Sequence, residues 1–125
     1  MIRYLLDSDC SIYAMLGSHP ELRSRLAECE VGEIAISAIS YAEIALGGNL
    51  GHPPDHKVVE DFVSVVPIIA FDEAAARAYA NLPFKRSRFD RLLAAHALSI
   101  GATIITNNEA DFADVPELKV ENWTV

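Results

Sequence analysis

The sequence predicts an α/β domain of three layers, helices covering both faces of a central, mostly parallel five-stranded sheet. Two observations carry this. Five short apolar runs alternate with helical patterns along the chain, and the runs are nearly continuous rather than alternating, as strands buried on both faces must be. A third is size: 125 residues, 51% of them hydrophobic, fit one domain spanning 1–125 with a core that needs no disulfide or structural metal.

The strands are expected at Ile2–Leu6, Glu33–Ser37, Val65–Ala70, Thr103–Thr106 and Lys119–Trp123. Helices are expected at Ser11–Leu16, Pro20–Cys29, Ser40–Leu46, Asp55–Val63, Asp72–Ala80 and Arg91–Ser99, with Gly101 placed as a left-handed cap after the last. The stretch from Gly47 to Pro54 breaks the pattern and reads as a loop within the domain, since neither side is long enough to fold alone.

No apolar run approaches the roughly 20 residues that cross a bilayer, and the first acid comes too early for a signal peptide. A cytoplasmic protein is expected, with Cys10 and Cys29 as reduced thiols. The net charge of −8 opposes binding nucleic acid by bulk electrostatics. That opposition weakens if many of the acids stand together and hold divalent cations, because the metal inverts the local field.

The acids are arranged for such a role. Asp7 and Asp9 end the first strand, Glu43 lies one turn into the helix after the second, and Asp90 opens the helix before the fourth. Asn107, Asn108, Glu109 and Asp111 follow the fourth strand. In a parallel sheet all project from one edge, where ligands gather. Carboxylates so crowded repel one another, raising their pKa values unless a cation bridges them, and hard oxygen donors suit Mg²⁺ or Mn²⁺.

Each acid also has a plainer explanation at a helix start. Asp is favoured as an N-cap, acids in a first turn oppose the helix dipole, and Ser40-x-x-Glu43 fits a capping box. Asp72 is assigned to capping outright. Composition and spacing alone therefore reach an acidic site that holds metal, and stop there.

Four motifs, taken together, resemble the PIN-domain ribonucleases, specifically the VapC-type toxins of type II toxin–antitoxin systems. Leu5-Leu6-Asp7-Ser8-Asp9 is similar to their opening signature, and Ile36-Ser37-Ala38-Ile39-Ser40-Tyr41-Ala42-Glu43-Ile44 to their second motif. Phe89-Asp90-Arg91-Leu92-Leu93-Ala94-Ala95-His96-Ala97 resembles the third. Gly101 to Asn108, followed by Val115 to Trp123, resembles the closing segment. The likeness runs from end to end and implies a PIN-like fold.

The resemblance implies that Asp7 and Asp90 are the principal metal ligands, with Glu43 as a third acid that binds metal or positions water. It implies a Mg²⁺-dependent endoribonuclease, Mn²⁺ being an alternative ion, that hydrolyses a phosphodiester of tRNA or ribosomal RNA. Water activated by the cation attacks phosphorus in line, without a side-chain nucleophile. That agrees with the lack of a Ser-His or Cys-His signature in the sequence. Translation would be inhibited until a cognate VapB-like antitoxin neutralises the toxin, and a homodimer is implied.

Three departures qualify the match. Ser8-Asp9 replaces the usual Thr-Asn, keeping the hydroxyl and adding a charge. Asn108 occupies the place of a frequent fourth aspartate, although Thr-Asn-Asn also occurs among enteric-type members. A neutral group there weakens a second metal position, which leaves Asp111 as a nearby candidate. The segment from Ala80 to Asp90 is shorter than in many relatives. It carries the one dense basic run, Lys85-Arg86-Ser87-Arg88, in which Arg86 and Arg88, with Ser8, are candidate substrate contacts.

His96, Tyr13, Met15 and Trp123 are read as packing residues, Tyr13 and Met15 in the core or a dimer interface. Two rival readings stay open. Asp7-x-Asp9 also fits the start of haloacid-dehalogenase-type phosphatases, in which the first aspartate is phosphorylated. A PIN-like module with a degenerate site, retained for binding, is the other.

Overall fold

The computed structural model describes residues 1–83 and 89–125. Five strands form one sheet: β1 (Tyr4–Leu6), β2 (Ile34–Ser37), β3 (Ile68–Ile69), β4 (Thr103–Ile105) and β5 (Val120–Glu121). Their order is β3-β2-β1-β4-β5, and all four pairings are parallel. Among the described residues six helices connect them: α1 (Ser8–Leu16), α2 (Pro20–Ala27), α3 (Ala38–Asn49), α4 (His56–Val65), α5 (Glu73–Ala80) and α6 (Phe89–Ile100). A 3-10 turn at Glu109–Phe112 follows β4.

Alternation along the strands splits the core in two. Leu5, Ala35 and Ile104 lie side by side in register and face one way, packed with Leu93, Ala94 and Ala97 of α6. Leu6, Ile36 and Ile105 face the other way, against Cys10, Leu22, Ile44 and Val59 from the first four helices. Two apolar faces on one sheet require two helical layers, which is why the fold has three. Alanines on α6 let its backbone approach the sheet closely.

Strand order reverses beside β1: β2 and β3 extend to one side, β4 and β5 to the other. A crevice opens at such a switch point, beyond the carboxyl ends of the strands. Asp7 follows β1 there, its amide donating to the Ile105 carbonyl at 3.1 Å.

Several boundaries differ from expectation: α1 begins at Ser8 rather than Ser11 because Asp7 caps it, the strands are shorter, and three further shifts fall around α3 and α4. The second strand passes directly into α3, which begins at Ala38 with Ser37 as its cap; the Ser37 hydroxyl accepts from the Ile39 amide at 3.0 Å. Ser40 is therefore inside the helix, its hydroxyl buried without a partner, and no capping box with Glu43 exists. The same helix continues through Gly47 and Gly48, where the His56 imidazole sits 3.4 Å from the position a Cβ on Gly48 would take. The turn comes instead at Gly51, with φ of 86°. Val65, expected in a strand, ends α4, because hydrogen bonding carries that helix to the point where Pro67 stops it. Trp123 is buried as expected, edge-on to Tyr4 at 4.8 Å with Arg25 over its ring. Among the described residues no helix is long and apolar enough to cross a membrane.

Candidate active site

A cavity of about 220 Å³ occupies the switch-point crevice. Asp7, Ser8, Asp9, Glu43, Asp90, Asn108 and Asp111 line it, so four separate chain segments deliver acids to one place. Arg86 and Arg88 lie outside the described residues.

Asp7 is a helix cap as well as a pocket residue. One of its oxygens accepts from the Cys10 amide at 2.8 Å, and the Ser11 hydroxyl donates to its backbone carbonyl at 2.8 Å. The plain reading and the functional one thus hold together: capping fixes the carboxylate at the strand end and leaves a second oxygen for the pocket. Burial pushes its carboxyl above the usual range, opposed by hydrogen bonds from the Thr106 hydroxyl and the Cys10 amide.

Glu43 stands in the second turn of α3, too far along to cap it. Burial again raises its pKa most, with the Ser8 hydroxyl opposing, and the charges of Asp90, Asp9 and Asp7 raise it further. Like-charge repulsion was the expected cause of raised values. It acts on both, through Asp9 on Asp7 and through Asp90, Asp9 and Asp7 on Glu43, but desolvation leads in each. Asp90 is in the first turn of α6, where the helix dipole favours its charge. Asn108 and Asp111 are exposed at the rim. The Asn108 amide donates to the Thr106 hydroxyl at 3.0 Å, which holds the segment after β4 beside Asp7.

The donors are carboxylate, amide and hydroxyl oxygens, a set that fits a hard divalent cation. Among the described residues no three acidic, cysteine or histidine side chains stand close enough together to hold an ion as they are. The chemistry of the set and its mutual repulsion fit a cation.

The PIN-domain family profile matches residues 4–118. The chain belongs to the PIN-domain family. It is 29% identical to a tRNA(fMet)-specific endonuclease VapC of Shigella flexneri, over 99% of this chain and 100% of that one. It is 30% identical to ribonuclease VapC2 of Haemophilus influenzae, over 98% and 99% of the two chains. Among solved structures it resembles VapBC2 from Rickettsia felis bound to a promoter DNA fragment, with TM-score 0.82, 29% identity, and 98% and 99% coverage.

With the PIN family shown, the phosphatase alternative built on Asp7 and Asp9 is not favoured. The structure also brings to the cavity two residues that the sequence alone leaves without a role. Thr106 bridges Asp7 and Asn108, its hydroxyl donating to the Asp7 carboxylate and accepting from the Asn108 amide, and no local pattern in the sequence marks it. Phe89, half exposed at the start of α6, forms part of the pocket wall beside Asp90. Nothing in composition distinguishes it from a core phenylalanine.

Proposed function

We propose that this chain is a VapC-type endoribonuclease toxin, and that the pocket formed by Asp7, Glu43, Asp90, Asn108 and Asp111 is its hydrolytic centre. The observation that carries the assignment is the convergence of acids from β1–α1, α3 and α6 on one crevice at the topological switch point. Asp7 is committed to capping by a carboxylate–amide bond, whereas Glu43 lies in the second turn of α3, so capping does not explain why Glu43 faces the same space.

Asp7, Asp90 and Glu43 would hold the ion, Mg²⁺ or Mn²⁺. When bound, a divalent ion supplies Lewis acidity, which lowers the pKa of water and offsets charge on the phosphoryl oxygens. The chain's own contribution is orientation and proton handling. Asp7 is fixed in place by the Cys10 amide and Thr106. Glu43, with its raised proton affinity and Ser8 beside it, is suited to accept a proton from the attacking water. Asn108 and Asp111 border the path by which the substrate's sugar–phosphate reaches the acids.

The substrate is RNA, and tRNA is the first candidate, because two relatives are named for tRNA(fMet) cleavage. A VapB-like antitoxin is the proposed partner, the resembling structures being VapBC complexes. A basic side chain of that partner, placed among these acids, would replace the cation electrostatically. The toxin would act in the cytoplasm, as a homodimer.

The test is incubation of antitoxin-free protein with total RNA and Mg²⁺, beside EDTA and Asp90→Asn controls, followed by mapping of new ends. A small set of metal-dependent cuts, lost in the variant, supports the reading and identifies the RNA. No cuts from folded protein that binds metal would overturn it in favour of a binding module.

A further inference from the structure

Deep between α3 and α6, a serine and a histidine meet that the sequence did not pair. The Ser37 hydroxyl lies 2.7 Å from His96 Nδ1. Asp72 is in electrostatic reach of the imidazole, so the trio superficially suggests a nucleophilic hydrolase. Burial excludes that. Ser37 is fully buried and His96 is 1% exposed, so no substrate reaches either. The serine oxygen already accepts from the Ile39 amide as the α3 cap.

What the pair does is join the two helices that carry acids. Ser37 is the cap from which α3 starts, and Glu43 is less than two turns along that helix. His96 sits on α6, less than two turns beyond Asp90. Each acid is therefore about 9 Å along a rigid helix from the same hydrogen bond. The imidazole is held from its other sides by the Phe71 ring, edge-on at 5.6 Å, and by the capping segment of α5 at Asp72. Burial keeps the ring neutral, with Asp72 the charged group that opposes this.

We propose that His96 is a positioning residue: through Ser37 it sets α3 against α6, and so fixes the relative placement of the backbones from which Glu43 and Asp90 reach toward a divalent cation. This rests on the hydrolytic-centre reading, but it is measurable without RNA. A packing role would cost stability alone. A positioning role alters the affinity of the acids for a cation in molecules that remain folded.

Wild-type protein is compared with His96→Phe, His96→Asn, Ser37→Ala and the Ser37→Ala/His96→Phe double variant. Mn²⁺ affinity is titrated by the electron paramagnetic resonance of free Mn²⁺. Melting temperature, and kcat and KM on a short RNA, are measured alongside. His96→Phe and Ser37→Ala are each expected to weaken Mn²⁺ binding about tenfold, as loss of a supporting hydrogen bond does at metal sites. They should lower kcat by a similar factor while KM changes little. His96→Asn, whose amide can occupy the Nδ1 position, should recover most of both, and the double variant should be no worse than either single.

Wild-type Mn²⁺ affinity and kcat in folded His96→Phe, whatever its melting temperature, would reduce the bond to packing and overturn the proposal. If His96→Phe does not fold, His96→Asn and Ser37→Ala decide: losses as large in Asn as in Ala also overturn it. A wild-type chain that binds Mn²⁺ but cuts no RNA removes the nuclease reading and leaves this inference to the Mn²⁺ comparison. A wild-type chain without Mn²⁺ affinity removes both.

Discussion

Asp7 combines two demands that conflict. It caps α1, which any good acceptor at that position would do, and it carries a charge in a place where burial disfavours it. Asp7→Asn keeps the capping oxygen and removes the charge. In metal-free protein the variant should melt a few degrees higher at neutral pH, a gain of about 1 kcal/mol, while RNA cleavage is lost. The sign of the pH dependence follows. A carboxyl whose folded pKa is raised binds more protons in the native state, so its favourable contribution is present below the unfolded value and lost as pH rises through the folded one. The advantage of Asp7→Asn should therefore shrink as pH falls into the ordinary carboxylate range. Thermal melts of both proteins from acid to neutral pH, with chelator, check this; an advantage unchanged across the range contradicts it. Individual acids were legible in the sequence because charge at a strand end is conspicuous. Their partners were not, since Thr106 reaches Asp7 from a segment far away in the chain, as Ser8 reaches Glu43.

At the scale of elements, the sequence located each described strand and α-helix but not the 3-10 turn or the joints between elements, and the joints place the candidate site's side chains. A capping box at Ser40 would have made Glu43 an ordinary first-turn residue. The observed start at Ser37 moves Glu43 into the second turn, and that shift followed from how β2 leads into α3 rather than from any local pattern. Apolar runs also overstated the strands, since β3 and β5 keep only two residues each at the sheet edges, where one side lacks a partner. Val65 could satisfy a strand or a helix by its own propensity, and hydrogen bonding through Phe62 to Val66 chose the helix. A second joint ties the 3-10 turn to α6. The guanidinium of Arg91, its side chain 4% exposed, pairs with Asp114, just beyond the turn that carries Asp111, and its Nη1 has no hydrogen-bond partner. Asp114→Ala removes the charge that this buried cation faces. The expected cost is about 2 kcal/mol, below that for a fully buried pair because Asp114 is 40% exposed. Arg91→Met, which removes the cation instead, should cost less. Urea unfolding of the two variants distinguishes them, and a costlier Arg91→Met would show that packing of the long side chain, not charge, holds the turn.

For the whole molecule, the difficulty is a protein of net charge −8 that is read as an enzyme acting on RNA. Composition placed this beyond resolution, because a sum over the chain does not say where the charges lie. The fold does: Asp7, Asp9, Glu43, Asp90 and Asp111 all border one cavity, so a substantial part of the excess is gathered where it repels a phosphate most and attracts a cation most. A divalent ion in that cavity changes both terms at once. It relieves repulsion that the folded chain bears and the unfolded chain does not, so binding must raise stability by mass action. At tenfold over its dissociation constant an ion that binds only the native state adds about 1.4 kcal/mol, roughly 5 °C in the melting temperature of a domain this size. Mg²⁺ and Mn²⁺ should both produce this shift in wild-type protein, NaCl at equal ionic strength should not, and Asp90→Asn should lose most of it. Ordinary screening would treat all salts of one ionic strength alike and would spare Asp90→Asn no more than the wild type. A shift matched by NaCl would therefore mean that the acids feel only the ionic atmosphere, and a shift absent in every salt would return the pocket to a degenerate binding surface.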